Sequence, residues 1–177
     1  LGMVDDVRVG AAVCWEFLRT GTSRRLQHKV DVVMGGSHWW SIPTHWPQWV
    51  QRRMEPYNNV NALATVQDTA RLIGAPVIHA SHCHKLNCPM PGLPLRYAGQ
   101  LEGHAAIIDA QGNVLASRRH QDGEGVVVAE ITLGAINSKE IVPDRFWLRR
   151  RGSLPTFSWL FHGFLGRRWY AKHVREL

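Results

Sequence analysis

Cysteine is scarce in this sequence: three residues in 177, at positions 14, 83 and 88. So odd and sparse a set excludes a disulfide framework and points to a reducing compartment, so a cytoplasmic location is expected. There is no apolar run of about 18 residues or more, so no transmembrane helix is expected, and no signal-peptide pattern is seen. Internal repeats and low-complexity tracts are also missing, which excludes solenoids and disordered linkers. What remains is a chain of a size to bury one core. Acidic residues are outnumbered, 14 against 21 basic ones, leaving a net charge of +7 that raises the question of anionic partners.

The stretch that organises the chain is Val7-Arg8-Val9-Gly10-Ala11-Ala12-Val13-Cys14-Trp15-Glu16. Residues 7 to 13 are short, Val- and Ala-rich and read as a buried strand that delivers Cys14 to a turn. From Glu16 to Lys29 the pattern becomes basic and amphipathic, predicting a helix with Gly21 as its weak point. A cysteine between a strand and a helix has a chemical rationale, because helix-start amides favour thiolate over thiol and can hold an oxyanion. A small buried hydrophobe explains the same letter.

Gly-x-x-x-Cys-Trp-Glu after a hydrophobic strand resembles the nucleophile motif of the nitrilase, or carbon-nitrogen hydrolase, superfamily. Further stretches are similar in the same order: Val30 to Trp39 to the family's following strand and pocket loop, Gly74 to Ser81 to its next strand, Gly103 to Ala116 to its late hairpin, and Gly125 to Ile131 to its closing strand. The resemblance covers roughly residues 3 to 133. It implies an α/β fold, part of a four-layer α-β-β-α sandwich, and a thiol-dependent hydrolase of non-peptide carbon-nitrogen bonds that acts on a small-molecule amide or nitrile without a cofactor. In that reading Cys14 is the nucleophile, the backbone amide of Trp15 serves the oxyanion and Glu16 orients the turn. Ser37, His38, Trp39 and Trp40 shape the substrate pocket.

The family's general-base glutamate and its lysine both precede the cysteine. Residues 1 to 13 contain neither type. The expectation is therefore the C-terminal portion of such a domain, inactive alone, or an inactive relative. Family members commonly form homodimers, so a homo-oligomer is expected.

Residues 47 to 73 carry one or two helices, with Pro56 marking a break between two apolar sets and Gly74 stopping the second. His79 to Cys88 is rich in His and Cys, but His-Cys-His-x-x-x-Cys matches no familiar zinc spacing, and no metal is expected. The proline-rich stretch from His84 to Gln100 reads as a long loop, a candidate lid or subunit contact. Residues 105 to 108 and 114 to 116 read as a hairpin, and 126 to 132 as the last strand. The domain is placed at 1–143, followed by a helical extension at 144–177.

That extension carries Arg149, Arg150, Arg151, Arg167, Arg168, Lys172 and Arg175 among Trp147, Trp159, Phe161 and Trp169. A basic, aromatic tail suits nucleic acid or a membrane surface as an alternative, a non-catalytic binding module. No groove-reading motif accompanies it, and a helix packing its aromatic face on the body is preferred.

Overall fold

The computed structural model describes residues 1–90, 93–149 and 153–174, the side chains of 153–155 excepted. Strands β1 (Gly2–Val4), β2 (Val7–Val13), β3 (Val32–Ser37), β4 (Val77–Ser81), β7 (Gly103–Ile108) and β8 (Val114–Arg119) form one sheet in the order β1-β2-β3-β4-β7-β8. β2, β3 and β4 run parallel and the outer pairs are antiparallel. Parallel neighbours require crossovers. These are supplied by a 3-10 turn (Cys14–Leu18) with helix α1 (Thr20–Leu26), and by helix α2 (Gln48–Ile73). The architecture is mixed α/β; the described residues make this six-stranded sheet, with helices packed on one face, and a separate two-stranded hairpin, and a four-layer sandwich is not formed by them.

The core lies between that face and the helices. Leu26 of α1 and Val66, Ala70 and Ile73 of α2 pack on Ala12, Val33, Val77, Ala106 and Ile108 of the sheet. Fully burying each large aliphatic side chain contributes about 1.5–3 kcal/mol. Gly35 makes room for the 3-10 turn: a Cβ there would fall 1.8 Å from the Ala12 carbonyl oxygen and 3.2 Å from the Phe17 ring. On the opposite face the register puts Ala11 beside Met34 and Val13 beside Gly36. Val13 remains 64 % exposed and Met34 45 %.

Four local expectations are corrected. The helix foreseen from Glu16 to Lys29 is shorter and split between the 3-10 turn and α1. α2 is unbroken through Pro56. Its first turns are tied to the preceding loop, with Gln51 donating to the Thr44 and Trp46 carbonyls, Glu55 accepting from Ile42 N–H, and Asn58 donating to the Trp40 carbonyl. These bonds offset the helix bond that proline removes. At the other end Gly74, at φ 76°, caps α2 in the left-handed region.

The stretch 84–100 is largely a hairpin, β5 (Lys85–Pro89) with β6 (Arg96–Gln100), because Pro89 falls at the strand end and Pro94 in the connection, outside the paired interior. Residues 126–132 form no strand. They lead from Gly125, against the Arg118 guanidinium, to Gly134, whose N–H donates to Asp31 O. Val127, Ala129 and Ile131 are half-buried while Val126 and Val128 are more than four-fifths exposed. The alternation is that of a strand, but no neighbouring strand among the described residues pairs with it.

Beyond residue 143, Leu148 N–H donates to Leu18 O, and Arg149 binds Asp68 at 2.6 Å and Asn61 at 2.8 Å. Helix α3 (Ser153–His173) follows.

Candidate active site

The parallel strands β2 and β3 end side by side, with Val13 opposite Gly36, so the next residues Cys14 and Ser37 leave the same edge of the sheet. Ligand sites of α/β sheets lie at the carboxyl ends of parallel strands. A cavity of about 460 Å³ opens there, and Cys14, Trp15, Ser37, His38, Trp39 and Trp40 all line it. Glu16 does not. Its carboxylate instead accepts from Val13 N–H at 2.9 Å and faces Arg25 at 3.8 Å. Cys14 itself sits at φ +52°, in the left-handed region that a side chain other than glycine rarely adopts. A strained backbone at a residue facing a cavity is a recurrent feature of functional sites.

Ser37 is held from behind. Its Oγ lies 2.9 Å from His79 Nε2, and His79 Nδ1 lies 2.9 Å from the His104 carbonyl oxygen. A carbonyl only accepts, so Nδ1 carries the proton; burial keeps the ring neutral, lowering its pKa, and leaves Nε2 to accept from the Ser37 hydroxyl. The Phe17 ring meets the His79 ring edge-on at 5.1 Å and completes its enclosure. His38 stacks edge-on with His82 at 4.0 Å, and burial followed by the His82 charge lowers its pKa too. Trp39 Nε1 donates to Asn58 Oδ1 at 2.8 Å, anchoring one wall of the cavity to α2.

The roof comes from the C-terminal extension. Trp15 meets Trp147 at 5.6 Å and Trp159 at 5.5 Å, while the Arg19 guanidinium lies over Phe146 at 5.0 Å. Ser158 and His162 of α3, together with Met90 beyond β5, close the lining. Asn58, His79, Ser158 and His162 were not foreseen as part of the site, whereas Met90 falls in the stretch 84–100 read as a candidate lid. A parallel β3–β4 pairing would have found His79, but the α3 residues carry no sequence signal that places them over Cys14.

Beneath the loop carrying Trp39 and Trp40 lies a buried carboxyl pair. Glu102 is 1 % exposed, receives a hydrogen bond from Asn59 at 2.7 Å and is hydrogen-bonded with Glu55. Burial, then the hydrogen bond and charge of Glu55, raise its pKa to about 8. Glu102 N–H also donates to the Trp39 carbonyl. Among the described residues no group of three His, Cys, Asp or Glu side chains could hold a metal, and no helix is long and apolar enough to cross a membrane.

No known family's sequence profile matches the chain, and no curated protein sequence matches it. Solved structures do. A carbon-nitrogen hydrolase from Helicobacter pylori G27 superposes with a TM-score of 0.53 at 17% identity, over 72% of this chain and 41% of that one. A carbon-nitrogen hydrolase superfamily protein from Xanthomonas campestris matches at 12% identity over 72% of this chain and 51% of its own, with a TM-score of 0.41. An amidase from Nesterenkonia sp. AN1 matches at 12% identity over 89% and 48%, with a TM-score of 0.44. The chain thus spans about half or less of the length of these proteins. Its fold neighbours are structures of the carbon-nitrogen hydrolase superfamily, as the motif around Cys14 led one to expect.

Proposed function

We propose that this chain is the cysteine-bearing portion of a thiol-dependent hydrolase of non-peptide carbon-nitrogen bonds, amide or nitrile. The observation that carries the reading is Cys14, at φ +52° on the rim of a cavity that also takes in Ser37, His38, Trp39 and Trp40. Cys14 Sγ attacks the carbonyl or nitrile carbon, forming an S–C bond. From an amide, the amine leaves with a proton and a thioester remains; from a nitrile, a thioimidate forms. Water releases ammonia from the thioimidate to give the same thioester, and a further water cleaves the thioester to the acid and restores the thiol. The Trp15 backbone N–H faces the developing oxyanion, and Glu16, bound to Val13 N–H, fixes the turn that presents both. Ser37, its hydroxyl directed to His79, offers its free lone pairs to a substrate N–H.

The general base and the lysine of the resembling family have no counterpart in residues 1–13. Residues 1–177 alone are expected to accept an acyl group on Cys14 without turning it over. The exposed apolar sheet face and the unpaired strand-like stretch 126–132 support completion of a four-layer sandwich by a second sheet, as a lone apolar sheet face is an unsatisfied one. Exposed Phe157, Leu160, Phe164 and Trp169 on α3 support self-association, a homo-oligomer being the partner proposed. The test is ammonia release from a panel of amides and nitriles by the longest protein the gene encodes. Activity lost in Cys14→Ala supports the reading; activity retained in that variant, or no activity with any substrate, overturns it in favour of another nucleophile or an inactive relative.

A further inference from the structure

The cavity at Cys14 is not closed on its far side. Trp15, Trp40, Met90, Ser158 and His162 line it and also line a second cavity of about 480 Å³ that runs between β6 and α3. The walls of this second space are aromatic and aliphatic: Trp46, Leu95, Tyr97, Phe157 and Phe161. Its polar groups are largely engaged elsewhere. Tyr97 Oη and Ser41 Oγ bind each other at 3.1 Å, and Tyr97 Oη also donates to main-chain carbonyls. The Arg96 guanidinium is held by Asn87 Oδ1 at 3.0 and 3.2 Å, and Ser158 Oγ lies 3.2 Å from His162 Nδ1. No carboxylate is among the lining residues. The Trp40 ring, 4.5 Å from that of Tyr97, forms a continuous floor from one cavity to the next.

We infer that this groove receives the acyl portion of the substrate, and that the substrate class is an amide or nitrile whose carbon side bears a long aliphatic or arylalkyl group. A small amide such as acetamide would reach only the Cys14 end and leave the apolar walls in water. A polyhydroxylated acyl group would lose hydration on entering a groove whose walls are mostly apolar and whose Ser41 and Tyr97 hydroxyls already bind each other. The end of the ligand that faces Cys14 rests on the proposed nucleophile, whereas the chemistry of the groove does not.

The test is binding of butanamide, hexanamide and octanamide by the folded chain, followed by quenching of tryptophan emission. Burial of each methylene strengthens binding about fourfold, so octanamide should bind roughly two orders of magnitude more tightly than butanamide. Ser158→Trp, which plugs the passage between the cavities, should flatten that dependence. Leu95→Asp, at an exposed wall position whose change does not threaten the core, should weaken octanamide selectively. Affinity that does not rise with chain length, or a dependence that survives both substitutions, overturns the inference. A normal dependence in a protein whose Cys14→Ala variant still releases ammonia would remove Cys14 as nucleophile and leave the groove assignment standing.

Discussion

Replacing Glu102 by glutamine takes one proton-binding group out of the interior, and the consequence for stability as a function of pH follows from where that group sits. The carboxyl is almost wholly buried, bound by Asn59 and hydrogen-bonded with Glu55, and its pKa rises from the ordinary 4.5 to about 8. Between these two values the folded protein holds a proton that the unfolded chain releases, so stability falls as pH rises. The contribution is fully present below pH 4.5 and gone above about 8. At about 1.4 kcal/mol per pH unit the ceiling is about 5 kcal/mol. Because part of the shift comes from the hydrogen bond and charge of Glu55 rather than from burial, we expect about half of that, roughly 2–3 kcal/mol, to be assignable to Glu102.

Glu102→Gln keeps the shape, can donate to Glu55, and binds no proton. Urea unfolding followed by circular dichroism at pH 5 and pH 8.5 should show the parent losing roughly 2–3 kcal/mol more than the variant. The pair also binds the loop carrying Trp39 and Trp40, through Glu102 N–H to Trp39 O and Ile42 N–H to Glu55. Tryptophan emission should therefore change over the same pH range in the parent and stay constant in the variant. Equal pH dependence in both proteins would refute the reasoning.

Other substitutions probe the frame of the site. Gly35→Ala would drive a Cβ into the Ala12 carbonyl, and should destabilise the chain by about 3 kcal/mol or more in urea unfolding, since backbone, not a flexible side chain, must move. His79→Leu strips Ser37 Oγ and the His104 carbonyl of their partner, and should cost about 2–3 kcal/mol in the same assay. Asp31 is held at a pKa of about 2 by hydrogen bonds from the Arg8 side chain and backbone. In Arg8→Ala its carboxyl carbon, followed by NMR, should titrate nearer the ordinary aspartate range of about 3.9.

The parts of this fold visible in the sequence are those whose chemistry changes sharply over a few residues. The Val-Ala run ending at Cys14 becomes β2 and a tight turn, and Asp109 to Asn113 closes a hairpin with Gly112 at φ 89° and the Asp109 carboxylate binding Gln111 and Asn113 N–H. Gly74 stops α2 at the expected residue. What stayed hidden depends on distant partners. Pro56 reads as a break because local rules contain no knowledge of the side chains of Gln51, Glu55 and Asn58 fastening the helix start to loop 40–46.

Val126 to Ile131 reads as a strand because its alternation is genuine, yet a strand exists only against a neighbour. The site divides in the same way. Cys14, Ser37, His38, Trp39 and Trp40 were within reach because they follow adjacent strands. His79 was lost among the neighbouring His and Cys residues, and Ser158 and His162 arrive from α3, more than a hundred residues away along the chain.

The central claim is that Cys14 is a nucleophile served by its cavity, and peptide-resolved mass spectrometry after brief exposure to 4-nitrophenyl hexanoate tests it most directly. The account predicts a hexanoyl thioester on Cys14 in the folded chain, little on Cys83 or Cys88, and loss of that preference in urea. No adduct on Cys14, or equal labelling of all three cysteines in the folded chain, would contradict it.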